Sequence, residues 1–113
     1  REIKITAPRQ FASIMDVSDA VNGICSILEC SLSQRKEVYN VGPGVQYTIL
    51  DYAKEANEVG LLFGYAPTNI VIDDTGNEFA ICMDCSRMEA ETNWKPKVTM
   101  RDMLQNMFTK KVR

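Results

Sequence analysis

The chain has no histidine at all among its 113 residues. That removes the commonest general base and the commonest metal ligand together. No apolar run approaches the ~20 residues a membrane-spanning helix needs, so no membrane role is expected. Neither sign of charge dominates. Thirteen Lys and Arg against fifteen Asp and Glu leave a formal net charge of -2. A chain so balanced lacks the basic footprint of a nucleic-acid binder, and no nucleic-acid partner is expected. There is no internal repeat, no low-complexity tract and no signal-peptide pattern. The first residue is Arg1 rather than Met, which reads as the start of an excised piece. The four cysteines, Cys25, Cys30, Cys82 and Cys85, lie inside apolar-patterned segments. Small disulfide scaffolds place theirs at loop junctions, so these read as reduced thiols in a cytoplasmic protein.

What is present is an ordinary globular share of apolar residues, 45%, arranged around one stretch. Glu37-Val38-Tyr39-Asn40-Val41 runs into Gly42-Pro43-Gly44, a turn no helix can carry. The spacing predicts a strand there, with helices before and after. A strand flanked in this way is normally buried on both faces of a sheet. The chain is short for such a sheet, so the first expectation is a part of something larger.

Taken in order, Glu2 to Thr6 alternates polar and apolar and reads as a short strand. Pro8 breaks it, and Phe11 to Met15 is a second extended run. Asp16 suits a helix cap, with Asp19 in the first turn. Val17, Ala20, Val21, Ile24, Cys25 and Leu28 then follow helical spacing; with Ile27 added, this helix is expected to be well buried. Thr48-Ile49-Leu50-Asp51 has the form of a capping box. It opens a helix with Ile49, Tyr52, Ala53, Ala56, Val59 and Phe63 on one face. Ile70-Val71-Ile72 is a strand, Asp73 to Asn77 a turn, and Phe79 to Met83 a further apolar run that either closes a hairpin or stands as a separate strand. Ser86-Arg87-Met88-Glu89, with Asp84 as a rival cap, opens a short helix to about Asn93. Trp94 to Val98 is a loop, because Pro96 bars Lys95 from helical space. The last helix starts at Thr99, with Met100, Met103, Leu104, Met107 and Phe108 as its apolar face. The expected class is α/β, or α+β when the piece is taken alone. It would have about four helices and three to five short strands in one region, 1–113.

Several residues invite chemistry. Gly42 and Gly44 follow a strand, but Tyr47 stands where a dinucleotide fingerprint has its third glycine, so a plain turn is expected. Cys82 and Cys85 form a CxxC. Cys25 and Cys30, five apart on one helix, point to different faces, which counts against a four-thiolate zinc site with them; ordinary packing is expected, with a redox or metal role for the Cys82 and Cys85 pair as the alternatives. Asp73, Asp74, Glu78 and Asp84 read as a solvated turn, Met88, Met100, Met103 and Met107 as core and Trp94 as a packing plug. Arg9 is the notable charge, since arginine is the side chain best shaped to grip a phosphate or carboxylate with two prongs.

Three segments together resemble the C-terminal, substrate-binding part of the extended short-chain dehydrogenase/reductases, the NAD-dependent epimerases and dehydratases of nucleotide sugars. Arg9 to Val21 is similar to that family's Arg-Asp-Phe-Val-His-Val-Asp-Asp-Val pattern running into a helix. Glu37 to Gly42, followed by Thr48 to Asp51, is the second. Asp84-Cys85-Ser86-Arg87 with Asn93 to Thr99 resembles the family's Asp-x-Ser-Lys…Leu-Gly-Trp-x-Pro-x-x-Ser ending. Order and spacing agree over nearly the whole chain.

The resemblance implies that an upstream Rossmann domain with its Gly-rich loop holds NAD or NADP, and that this piece binds no cofactor itself. It implies no catalytic residue here: the residues four after Tyr39, Tyr47, Tyr52 and Tyr65 are Pro43, Asp51, Ala56 and Asn69, so no Tyr-x-x-x-Lys exists. It implies a nucleotide sugar or a related small substrate, with Arg9 in the place of an arginine that binds the substrate diphosphate. No metal site is implied. The chain departs from the pattern at Gln10 for Asp, at Ser13 for His, and at Asp74, nearest to where a second phosphate-binding arginine often stands. The alternative is a non-catalytic interaction module with a degenerate form of the fold. Either way an unpaired strand edge predicts self-association.

Overall fold

Backbone signals set the elements, in the order β1 (Glu2–Ile5), β2 (Phe11–Ala12), α1 (Val17–Glu29), β3 (Tyr47–Thr48), α2 (Ile49–Leu62), β4 (Asn69–Ile72), α3 (Ser86–Thr92) and α4 (Met100–Lys111). The computed structural model describes residues 1–31, 33–79 and 83–111. Among these the chain is a mixed α/β fold of four helices and four short strands, in two compact units.

The first unit comprises Arg1–Ala12, Tyr47–Ile81 and Thr99–Arg113. β1 and β4 pair in parallel, with Glu2 opposite Asn69 and Ile5 opposite Ile72. β2 and β3 pair antiparallel, Phe11 opposite Thr48. Thr48 then caps α2 in a complete box: its hydroxyl accepts from the Asp51 N–H at 3.1 Å, and the Asp51 carboxylate accepts from the Thr48 N–H at 3.0 Å. These bonds to Thr48, backbone first, hold the Asp51 carboxyl below the usual aspartate range. α2 places Val59 fully out of water. Next to it, Gly60 lets Phe108 of α4 approach to 3.4 Å of where a Cβ would stand. Phe63 and Tyr65 pack on the same Phe108 ring, at centroid distances of 5.6 and 5.5 Å. The Asn57 amide both donates to Thr68 O (2.7 Å) and accepts from its N–H (2.9 Å), tying the end of α2 to the approach to β4. Met103 is the buried residue of α4, whereas Met107 is exposed, so the apolar face of that helix is only partly used.

The second unit comprises Ser13–Gln46 and Cys82–Val98. Asp16 caps α1, accepting from the Ser18 N–H. α1 turns an unexpected side inward. Its buried residues are Asp19 and Gly23. Asp19 accepts from the Lys97 N–H, at 3.0 Å to each oxygen, and from the Val98 N–H at 2.9 Å. A Cβ at Gly23 would lie 3.1 Å from Val41 Cγ1 and 3.3 Å from the Trp94 ring. Met88 and Trp94 complete the core, so Trp94 is the plug that the sequence indicated. α3 ends where Asn93 turns left-handed at φ 58°.

Three expectations need correction. α1 is not well buried: Val17, Val21, Ile24 and Leu28 are 65, 52, 57 and 64% exposed. Helical period identifies the apolar face, but the face that a neighbour covers is decided by what that neighbour offers. Here it offers two backbone N–H groups and an indole, which take the Asp19 and Gly23 side. Second, Glu37 to Val41 forms no strand among the described residues, and Val38 is 68% exposed. A β-favouring run becomes a strand only against a partner ladder. Third, the extended run from Phe11 stops pairing after Ala12, where its partner β3 ends. The apolar run Phe79 to Met83 falls largely on residues 80–82, outside the described residues.

Candidate functional site

Arg9 sits between β1 and β2, just after Pro8. The backbone there is set by bonds from α2, since Leu50 N–H donates to Pro8 O and Ile49 N–H to Gln10 O (2.9 Å). The side chain is 65% exposed, yet each guanidinium nitrogen faces a carboxylate. Nη1 and Nη2 donate to the two Asp74 oxygens at 2.9 and 3.1 Å. Nε lies 3.3 Å from Glu78 Oε2. The Asp74 hydrogen bond, then the Asp74 and Glu78 charges, raise the arginine pKa still further above its ordinary value.

The carboxylates read from sequence as a solvated turn therefore have specific partners. Asp74 and Glu78 hold Arg9, and Asp73 meets Lys4 Nζ at 2.8 Å. Asp84 belongs to the other unit. There it accepts from the Ser86 side chain and the Ser86 N–H, which together lower its pKa, and its carbonyl accepts from Asn40 Nδ2 at 3.1 Å. Ser13, where the resemblance has histidine, accepts from Gln46 Nε2 at 3.0 Å. Sequence reasoning missed the Arg9–Asp74 pairing because the partners are 65 residues apart. A signal existed in the opposite charges of Arg9 and of Asp74, the latter nearest to where the resembled family often has a second arginine.

Close to this segment lies an open, mostly apolar groove of about 470 Å³, lined by residues that include Ile3, Ile5, Gln10, Ile49 and Tyr52. No group of metal-holding side chains occurs among the described residues, and no helix among them is long and apolar enough to cross a membrane. Cys25, Cys30 and Cys85 form no disulfide; Cys82, and with it the CxxC reading, lies outside the described residues.

No family profile matches the chain, and no curated protein matches it by sequence. Solved structures do match by shape. RMD from Pseudomonas aeruginosa, complexed with NADPH, superposes with a TM-score of 0.78 at 18% identity, over 96% of this chain and 35% of that one. UDP-glucuronic acid 4-epimerase from Bacillus cereus, in complex with UDP-glucuronic acid and NAD, gives 0.74 at 21%, over 100% and 36%. UDP-glucose 4-epimerase from Bifidobacterium longum, in complex with NAD+ and UDP, gives 0.74 at 21%, over 99% and 35%. The fold is thus the one that NAD-dependent epimerases and dehydratases use for about a third of their length. The chain spans only about 35% of the structures it matches.

Proposed function

We propose that this chain is the substrate-binding portion of an NAD(P)-dependent nucleotide-sugar epimerase or dehydratase, completed by a Rossmann portion outside these residues. The observation that carries the reading is the outward apolar face of α1 (Val17, Val21, Ile24, Leu28), on a fold matching one third of such enzymes. A helix that keeps its apolar stripe in water is built for a cover. The unpaired Glu37 to Val41 run supports the same reading, since its residue types suit a strand in a larger sheet.

In this reading the nicotinamide cofactor, held by the other portion, supplies the redox chemistry, and the residues here hold the sugar nucleotide against it. Arg9 is the candidate contact to the diphosphate, because its planar fork matches two phosphate oxygens at once. No residue of this chain is assigned a catalytic step. The thiols Cys25 and Cys30 fit a reducing, cytoplasmic setting.

The test is to obtain the full reading frame around these residues, express it and measure NAD and UDP-glucose binding and turnover. A Gly-x-x-Gly-x-x-Gly segment and a Tyr-x-x-x-Lys ahead of Arg1, with turnover that the 113 residues alone lack, are expected. Turnover by the 113 residues alone would end the proposal. A second reading, a non-catalytic interaction module, is favoured by one observation: the Arg9 fork already holds Asp74 and Glu78. A full-length protein that carries the fold without the two upstream motifs would support it.

A further inference from the structure

We infer that Asp74 and Glu78 act as a resident anion on Arg9 and so weaken the binding of phosphates at this site. The inference rests on the reading of Arg9 as the phosphate-facing residue and adds an intramolecular competitor to it.

Each nitrogen of the guanidinium faces a carboxylate oxygen: Nη1 and Nη2 face Asp74 at 2.9 and 3.1 Å, and Nε faces Glu78 at 3.3 Å. This is the two-pronged arrangement arginine uses for a phosphate. The fork already has the geometry that a bound ligand would give it.

The carboxylates are held in place by more than the arginine. Asp73 N–H donates to Ile5 O at 2.9 Å, and Gly76 N–H to Thr6 O at 2.7 Å. The approach at Gly76 is close enough that a Cβ would lie 2.8 Å from Thr6 O, so the turn needs glycine there. Arg9 N–H donates to Glu78 Oε1 at 3.2 Å. The Gln10 amide then grips Phe79 at both ends, donating to its carbonyl at 3.1 Å and accepting from its N–H at 2.6 Å. The segment from Asp73 to Phe79 is therefore fastened alongside Ile5 to Gln10, which keeps the backbone of Asp74 beside Arg9.

An incoming anion must replace Asp74 on the fork while two carboxylates stand beside one arginine. Any anion exchanges one two-pronged partner for another and adds repulsion that grows with its charge. The site thus binds phosphates less tightly than an unpaired arginine would.

The experiment is equilibrium binding of inorganic pyrophosphate, inorganic phosphate and UDP to the 113-residue chain at low ionic strength. It compares the native sequence with Asp74→Asn, Glu78→Gln and Arg9→Ala, with melting temperatures measured in parallel. Exposed ion pairs are weak, so Asp74→Asn is expected to tighten pyrophosphate binding about three- to fivefold. Glu78→Gln should do so by less. The gain should carry over to UDP, shrink in high salt, and vanish when Arg9→Ala is added. Unchanged or weaker binding in a folded Asp74→Asn protein, with Arg9→Ala still abolishing binding, overturns this inference alone. Binding that ignores Arg9→Ala in every background, or no binding in any variant, overturns the phosphate reading of Arg9 and this inference with it.

Discussion

The outward stripe of α1 makes a quantitative demand. Burying a whole Val or Ile side chain contributes about 2 kcal/mol. Val21 and Ile24 are 52 and 57% exposed, so covering what remains of each is worth about 1 kcal/mol. Replacing both with serine should therefore remove about 2 kcal/mol from whatever association covers them, about a 30-fold weaker Kd. Folding stability should hardly change, because those areas are in water in this chain. Val59, of the same residue type as Val21 but fully buried, supplies the control. Val59→Ala should lower stability by about 2 kcal/mol and leave association alone. Sedimentation equilibrium of the isolated chain, which should self-associate through the stripe rather than through a strand edge at Glu37 to Val41, reads the first effect. Urea denaturation reads the second. The reasoning fails if Val21→Ser with Ile24→Ser unfolds the chain by more than Val59→Ala does, or if the isolated chain is a strict monomer at every concentration.

Other outcomes follow from single contacts. Asp19→Ala leaves the part-buried Lys97 and Val98 N–H groups without their acceptor, and should cost about 2 kcal/mol in urea denaturation, with Asp19→Asn costing less. Gly23→Val should destabilise the second unit, because the added atoms meet Val41 and the Trp94 ring at 3.1 to 3.3 Å; tryptophan fluorescence during unfolding would report it. Asp51 and Asp84 have pKa values held below the usual range. Near pH 3 to 4 the unfolded chain therefore binds more protons than the folded one. The stabilisation is complete above the unfolded-state value of about 4 and is lost as pH falls through the folded values. Melting temperature should drop over that range, and Thr48→Ala, which costs about 1 kcal/mol at neutral pH, should make the drop shallower.

Much of the fold is legible in local sequence signals. Asp16 and Thr48 announce two helix starts, because a cap is satisfied within three residues and needs no distant partner. The β-branched run at Ile70 to Ile72 forms β4, and Met88 and Trp94 are core. The candidate site is half legible. Arg9 stands out by its residue type and its place before an extended run. That its fork is taken by Asp74, 65 residues away, is a long-range fact that no local pattern encodes. The apolar stripe of α1 and the β-favouring Glu37 to Val41 are real patterns, but neither is a buried element here.

The division has one cause. The sequence alone determined whatever is settled between near neighbours along the chain: caps, turns, helical period, and the lack of histidine and of a Tyr-x-x-x-Lys. Only the tertiary structure decided which side of each element meets another, because that depends on free energies between segments distant in sequence. At α1 a carboxylate facing two backbone N–H groups and a glycine facing an indole prevailed over four larger apolar side chains. The helix accordingly presents to solvent the face that its sequence marked for burial.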